Sequence, residues 1–315
     1  MQSTEASQQP ATPYPPNPCA PDEGRRVTKE EYWASWYQNP YPHIDVSYEW
    51  INGILQAKPP SNYPQIKQYR WFFTLISRYT ETNPIAELIN LNCGVSMTVP
   101  DAAQPSGKWD VVYKPDLGVI RHDNPAPWGA DDQYAFEGVC DICVEEISDA
   151  TLDEVHRDTR EKKRGYAVAG VKEYYILDPE DRYMRFYRLT AGRNYADIQP
   201  DAAGIIRSSV LPGFQFRRAD LLKQPTLAEL ALDEIYADYV FPGYLASVKR
   251  IAAATAARKQ AEERAAADTA ARRQAEESAE RAEQQAAAAA AARRQAEEDK
   301  RALQAELARL RWQSS

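Results

Sequence analysis

Between residues 66 and 79 the apolar positions Ile66, Tyr69, Phe72, Phe73, Ile76 and Tyr79 recur at helical spacing, which predicts an amphipathic helix lying on a core. Upstream, Thr28 precedes KEEYWASWY and Glu31 follows three residues later, a capping-box arrangement that starts a short helix. The segment VSYEWINGILQAKPP is rich in β-branched and aromatic residues, with Gly at its centre and Pro at its end. It reads as a hairpin or a helix-to-strand turn. From about Ile85 to Asp178 short apolar runs alternate with turn-forming residues, giving strands near 86–99, 109–120 and 138–148. RHDNPAPWGADDQYAF, from Arg121 to Phe136, is dense in Pro, Gly and Asp and reads as an exposed connection. TLDEVHRDTREKKRGYAVAGV is a helix that Gly170 ends, with Asp158, Lys162 and Tyr166 on one face. EYYILD and RYMRFYRL form two strands around PEDR, and IIRSSVLPGFQF closes the domain.

The ends of the chain read differently. Residues 1–24 are rich in Pro, Gln, Ser and Thr, a composition that predicts a disordered tail. Residues 223–244 read as a Pro-containing linker. Beyond them, 245–312 is almost entirely Ala, Arg, Glu and Gln. RKQAEE begins at Arg258 and RRQAEE at Arg272 and again at Arg293, offsets of 14 and 21 residues, both multiples of seven. That register predicts a coiled coil or a long solvated helix. Its seam is mostly Ala, with Leu303, Leu307 and Leu310 the larger groups, so homo-oligomerisation through this tail is expected to be weak. The globular domain is therefore placed at 25–222, long enough for one sizeable core.

No apolar run approaches the roughly 20 residues of a membrane span, and MQSTEASQQP lacks the features of a secretion signal, so a cytoplasmic protein without membrane contact is expected. The four cysteines do not make a disulfide framework, and Cys140 and Cys143 read as core thiols because no second pair completes a zinc site. From Leu245 on, 14 Lys and Arg oppose 11 Asp and Glu, or +3, so the net charge of −8 leaves −11 for residues 1–244. An acidic body disfavours nonspecific binding to nucleic-acid phosphate. Contact with DNA then requires a local basic surface or metal ions.

Candidate chemistry centres on Glu49, Asp116, Glu145 and Lys162. Asp116 follows Pro115 in YKPDLGVI and Glu145 ends CDICVEEIS, both in runs that otherwise demand apolar side chains. A charge there is costly unless it is paired or holds a metal. Mg²⁺, with Mn²⁺ as the alternative, suits two carboxylates, because it completes its shell with water and phosphate oxygens. In this reading Asp116 and Glu145 are the metal ligands. Lys162 orients the attacking water or neutralises the pentavalent phosphate, and Glu49 holds water or a second ion. Taken singly, each carboxylate is more often an ion-pair partner, and Lys162 within RDTREKKR is more often part of a solvated helix face. Strand alternation sets the rival carboxylate Glu146 on the opposite face, with Ile142 and Val144. No catalytic triad and no Gly-rich phosphate loop accompanies them.

The blocks YEWINGIL, KPDLGVI, CVEEISDAT, DTREKKRGYAVAGVKEYYILDPE and SSVLPGF resemble those of the Uma-type (Uma-two) restriction endonuclease family, a branch of the PD-(D/E)XK nucleases. The resemblance spans roughly residues 27–222, and the Ala/Arg/Glu tail beyond it is similar to the C-terminal helices common in the family. It implies an α+β fold: a restriction-endonuclease-like PD-(D/E)XK core, a mixed sheet flanked by helices, with a long C-terminal helix. It also implies that Asp116 and Glu145 are the metal carboxylates, that Glu49 is the N-terminal glutamate, and that the family's lysine has moved to Lys162, Ile147 standing in its ordinary place. A histidine common in the family is missing from PPSNYPQIK, and Glu146 replaces an aliphatic residue. The expected activity is Mg²⁺-dependent DNA hydrolysis. An RNA-directed nuclease of the same fold, or a binding and assembly module that has kept the fold alone, are the alternatives.

Overall fold

A computed structural model describes residues 19–90, 93–101, 104, 106–126, 128, 135–147 and 151–313. The chain divides into a body that ends at Leu245 and a second unit from Ala246. The expectation for the N-terminal tail falls mostly on residues 1–18, outside the described part. Residues 19–24, assigned to that tail, are instead tied to the body: Ala20 is buried, and the Asp22 carboxylate accepts from Arg25, Trp36 and Tyr41.

Helix α1 (Lys29–Ser35) starts where the reciprocal Thr28–Glu31 capping box predicts. Strands β1 (Ser47–Ile51) and β2 (Ile54–Lys58) form a hairpin around Asn52-Gly53, whose φ angles of 48° and 89° are those of a tight type I′ turn. Helix α2 (Tyr63–Thr82) begins at an Asn62–Gln65 capping box and buries Phe72, Leu75, Ile76 and Tyr79. Ile66, expected on the same buried face, is exposed.

Each of the first two predicted long strands is in fact a pair that changes sheet. The 86–99 run becomes β3 (Ala86–Asn90) and β4 (Gly94–Pro100). The 109–120 run becomes β5 (Lys108–Tyr113) and β6 (Leu117–Arg121), interrupted at Lys114-Pro115-Asp116. Pro115 has no N–H to give to a ladder, so the chain can leave one sheet there and join another. Short β7 (Ala135–Glu137) and β8 (Ile142–Glu146) follow. Next come α3 (Leu152–His156), a π-helical turn (Arg157–Lys162) and α4 (Lys163–Ala169), ended by Gly170 at φ 107°. Strands β9 (Glu173–Leu177), β10 (Arg185–Leu189), β11 (Tyr195–Asp197), β12 (Ile205–Arg207) and β13 (Gln215–Arg217) complete the strand set.

One sheet has the order β2-β1-β5-β4-β7 and the other β11-β10-β9-β8-β6-β3; β12 and β13 pair separately. Both large sheets are mixed: β4 runs parallel to β7 and β8 to β9, while the remaining pairs are antiparallel. Every residue of β8 and β9 is buried, because layers cover both faces. Ile142 and Val144 pack with α2 in one core, and Cys143 lies in a second core with Tyr113 and Val111 of the other sheet. Cys140 and Cys143 are buried free thiols, as read from the sequence.

The expectation of a linker at 223–244 is corrected. After α5 (Asp220–Lys223), α6 (Leu227–Ala231) and α7 (Ala237–Val240) bury Leu230, Tyr236, Tyr239 and Val240 in the α2 core. Trp71 donates to the Pro225 carbonyl, and Thr82 to that of Tyr239. The prolines that suggested a linker, Pro225 and Pro242, lie in turns between helices. Helix α8 (Tyr244–Gln313) then runs for 70 residues. Among the described residues, no helix is long and apolar enough to cross a membrane.

Candidate active site

A buried pocket gathers charge at the junction of the two sheets. Its walls are Lys58 at the end of β2, Ser61 and Gln65 at the start of α2, Asp116 at the β5–β6 corner, Glu145 and Glu146 at the end of β8, and Arg157, Asp158 and Lys162 of the π-helical turn. The free space left among them is only about 10 Å³, room for one water.

Asp116 lies between two strands rather than inside one. Its Oδ2 accepts the Glu146 N–H at 2.6 Å, its Oδ1 pairs with Lys58 Nζ at 2.8 Å, and its carbonyl accepts the Tyr69 hydroxyl at 3.1 Å. Glu49, fully buried on β1, accepts the Lys114 N–H at 2.7 Å through Oε1. It thereby fixes the corner two residues before Asp116. The same oxygen meets Lys162 Nζ at 3.1 Å, and that ammonium reaches Glu145 Oε1 at 3.1 Å and Asp158 Oδ1 at 3.9 Å. Tyr166, one turn further on α4, donates to Glu145 Oε1 at 2.7 Å. Glu49, Glu145 and Lys162 are thus in direct contact, and Asp116 joins them through Glu146.

The helix carrying Lys162 explains how one side chain serves two strands. A π turn inserts an extra residue into the helical ladder and re-aims the side chains beside it. Arg157, Asp158 and Lys162 all point inward, and Gly165 allows α4 to approach β5: a Cβ there would stand 3.0 Å from the Tyr113 hydroxyl.

Glu146 lines the pocket although it leaves β8 on the face of Ile142 and Val144. Strict alternation would put it on the α2 side, away from Glu145. It does lie toward α2, but at the open end of β8 that side is the pocket wall, and Ser61 donates to Glu146 Oε2 at 3.0 Å. Lys58 was not singled out by sequence, and Asp158 was placed on the Lys162 face of its helix without a role in the site. Lys58 precedes two prolines and has the look of a surface strand end; only the fold brings it to Asp116.

Electrostatically the pocket holds more acid than its cations compensate. Burial and the neighbouring Asp116 and Glu49 raise the Glu145 carboxyl to about 7, against the pull of Lys162 and Lys58. Burial and Asp116 likewise raise Glu146 to about 7. Burial also opposes ionisation of Glu49, but Lys162, Lys58 and Arg157 outweigh it and hold that carboxyl below its usual range. Burial disfavours the charged forms of Lys58 and Lys162, yet the surrounding carboxylates raise both. Glu49 Oε2 and Glu146 Oε1 are buried without a hydrogen-bond partner.

These residues suit a hard divalent cation in their chemistry. The donors are carboxylate oxygens, two of them unpartnered, in a pocket with spare negative charge. Among the described residues no group of three or more His, Cys, Asp or Glu side chains converges in a metal-holding arrangement. Mg²⁺ does not need one: one or two carboxylates with water and substrate phosphate suffice.

A contrast lies on β9. Glu173 is also buried, but it accepts from Tyr175, Ser208 and Ser209 and pairs with Arg188. Such a saturated carboxylate is a structural anchor.

The model of the Uma2 family, described as "Putative restriction endonuclease", matches residues 33–221. Among solved structures, one described as "a putative nuclease belonging to DUF820" from Anabaena variabilis ATCC 29413 is similar at 16% identity and a TM-score of 0.45, covering 63% of this chain and 98% of its own. No curated protein matches the chain.

Proposed function

The chain belongs to the Uma2 family, and from that premise we propose that it is a Mg²⁺-dependent endonuclease that hydrolyses DNA phosphodiester bonds, with Asp116 and Glu145 as metal ligands and Glu49 and Lys162 beside them. The observation that carries the reading is the pocket itself. Where the two sheets meet the π-helical turn, two Asp, two Glu and three cations line one buried space, which is far more charge than a structural ion pair requires.

When bound, the ion would polarise the phosphodiester and make a coordinated water acidic enough to attack it near neutral pH. The protein's own groups have distinct tasks. Tyr166 and Lys162 hold Glu145 Oε1 from two directions and so fix where the other oxygen points. The Glu146 N–H does the same for Asp116. Lys162 keeps a positive charge against Glu145 in a nearly dry site, where it counters the negative charge that grows on phosphorus in the transition state. Glu49 shares that ammonium and locks the corner through the Lys114 N–H. The acidic body makes the metal the principal attractor of the phosphate backbone.

One observation favours a second reading, a binding module that retains the fold without cleavage: Lys58 and Lys162 already neutralise carboxylates in the pocket. The two are separated by incubating the full chain with single- and double-stranded DNA and RNA in Mg²⁺, Mn²⁺ or chelator. The expected result is metal-dependent cutting of DNA that chelator abolishes. Cutting of RNA alone would move the substrate to RNA. Absence of cutting on every substrate, with the chain folded, would establish the second reading.

A further inference from the structure

Of the three cations in the pocket, Lys58 alone has a way out. Its side chain retains 15% of its exposure, against 2% for Lys162 and 7% for Arg157. Its ammonium bonds Asp116 Oδ1 at 2.8 Å and the Lys114 carbonyl at 2.5 Å. The other Asp116 oxygen is already taken by the Glu146 N–H, so Lys58 holds the side of Asp116 that remains for a ligand. The space left beside it is too small for a hydrated ion.

We propose that Lys58 is a built-in counter-ion of the metal seat: its ammonium caps Asp116 in place of a divalent cation, and metal uptake requires Lys58 to withdraw toward the pocket mouth. The inference rests on the metal-nuclease reading and concerns how that seat is filled. Withdrawal is mechanically simple. The Lys58 backbone is held by its pairing with Ser47 across the hairpin and by Pro59-Pro60 behind it, so only the four-carbon stem needs to turn. Lys162 cannot play this part, because it is sealed between Glu49 and Glu145. Arg157 spends its guanidinium on the Ala57 carbonyl and Asp158.

The exchange predicts a direct reporter. An ammonium bonded to a carboxylate in a closed pocket reacts slowly with amine reagents, and a released one reacts quickly. The full chain is pulse-labelled with an acetylating reagent, in chelator and in saturating Mg²⁺ or Mn²⁺, and Lys58 is followed by peptide mass mapping. Its labelling should rise at least fivefold with metal while exposed Lys67 is unchanged and Lys162 stays unlabelled. In parallel, Mn²⁺ binding is measured by calorimetry for the parent, Lys58→Met, Lys58→Gln and Arg157→Met. Both Lys58 variants should bind at least tenfold tighter, and Arg157→Met, which removes the same charge without touching Asp116, by less than threefold. Metal that binds the parent without raising Lys58 labelling overturns the proposal and leaves the nuclease reading standing. Equal tightening by Arg157→Met also overturns it, because the effect would then be one of pocket charge alone. Binding by the Lys58 variants but not by the parent supports it in its strongest form. Failure of every variant to bind metal removes both this proposal and the metal reading.

Discussion

A buried carboxylate surrounded by other carboxylates is the central fact at the scale of the residue. Glu145 and Glu146 sit at about 7 in the fold against 4.5 for a free glutamate. A carboxyl raised in this way favours the folded state fully below its unfolded value, and the advantage disappears as the pH climbs through the folded one. The metal-free protein should therefore lose melting temperature between about pH 5 and pH 8, and Mg²⁺ should restore it at the upper end. Glu145→Gln should flatten that profile, remain folded, and lose metal-dependent cleavage by about a hundredfold or more, as should Asp116→Asn. A Glu145→Gln variant that cuts like the parent would remove Glu145 from the site. Lys162→Met should behave in the opposite sense. It leaves Glu49 and Glu145 facing each other without an ammonium, a loss of about 3–5 kcal/mol that urea unfolding would detect. Glu49, Asp116, Glu145 and Lys162 were legible in the sequence because charge inside apolar runs is costly and the blocks around them resemble a known family. Lys58 was not, because a lysine before two prolines looks like ordinary surface until the fold closes over it, and Arg157 and Asp158 were read only as parts of a charged helical stretch.

Periodicity at the scale of the element identified what each segment is more reliably than where it turns. The Thr28 cap, the turn at Gly53 and the Gly170 stop are local chemistry and are present as such. The sheet changes between β3 and β4 and at 114–116 are not local: a break in a strand pattern does not say that its halves belong to different layers. The same holds for 223–244, where Pro and polar residues separate short helices whose buried side chains are too few per segment to show a period. The π turn is invisible for another reason, since Asp158, Lys162 and Tyr166 fit an α-helix equally well on paper. Its role can be tested by removing one residue. Deletion of Thr159 should relax the turn to an α-helix and rotate what precedes it by about 100° relative to Lys162. Circular dichroism should stay near the parent's, while cleavage falls by about a hundredfold or more because Arg157 and Asp158 leave the pocket. Full activity in the deletion would show that the π geometry is incidental.

The boundary that matters at the scale of the whole molecule is Leu245, not residue 222. A chain stopped after Leu245 should keep the parent's melting temperature within a few degrees. One stopped at 222 loses Leu230, Tyr236, Tyr239 and Val240 from the core and should not fold, since each large core side chain contributes about 2–5 kcal/mol. Sedimentation of the longer fragment against the full chain measures what the tail adds; a full chain that stays at its monomer mass at all concentrations would exclude self-association through it. The tail's seven-residue register was legible, but its partner is not written in a seam of alanines. That helix has a further consequence. Every described side chain from Lys249 to Arg309 is exposed, and spaced pairs such as Arg258–Glu262 and Arg273–Glu277 run along the helix. A helix with no buried side chain along that stretch opens a few turns at a time at little cost, whereas the body opens cooperatively. Trypsin would accordingly whittle the chain from its C-terminal end, arginine by arginine, and stall near Arg250. A preparation stored with traces of protease would drift toward one compact, still functional fragment.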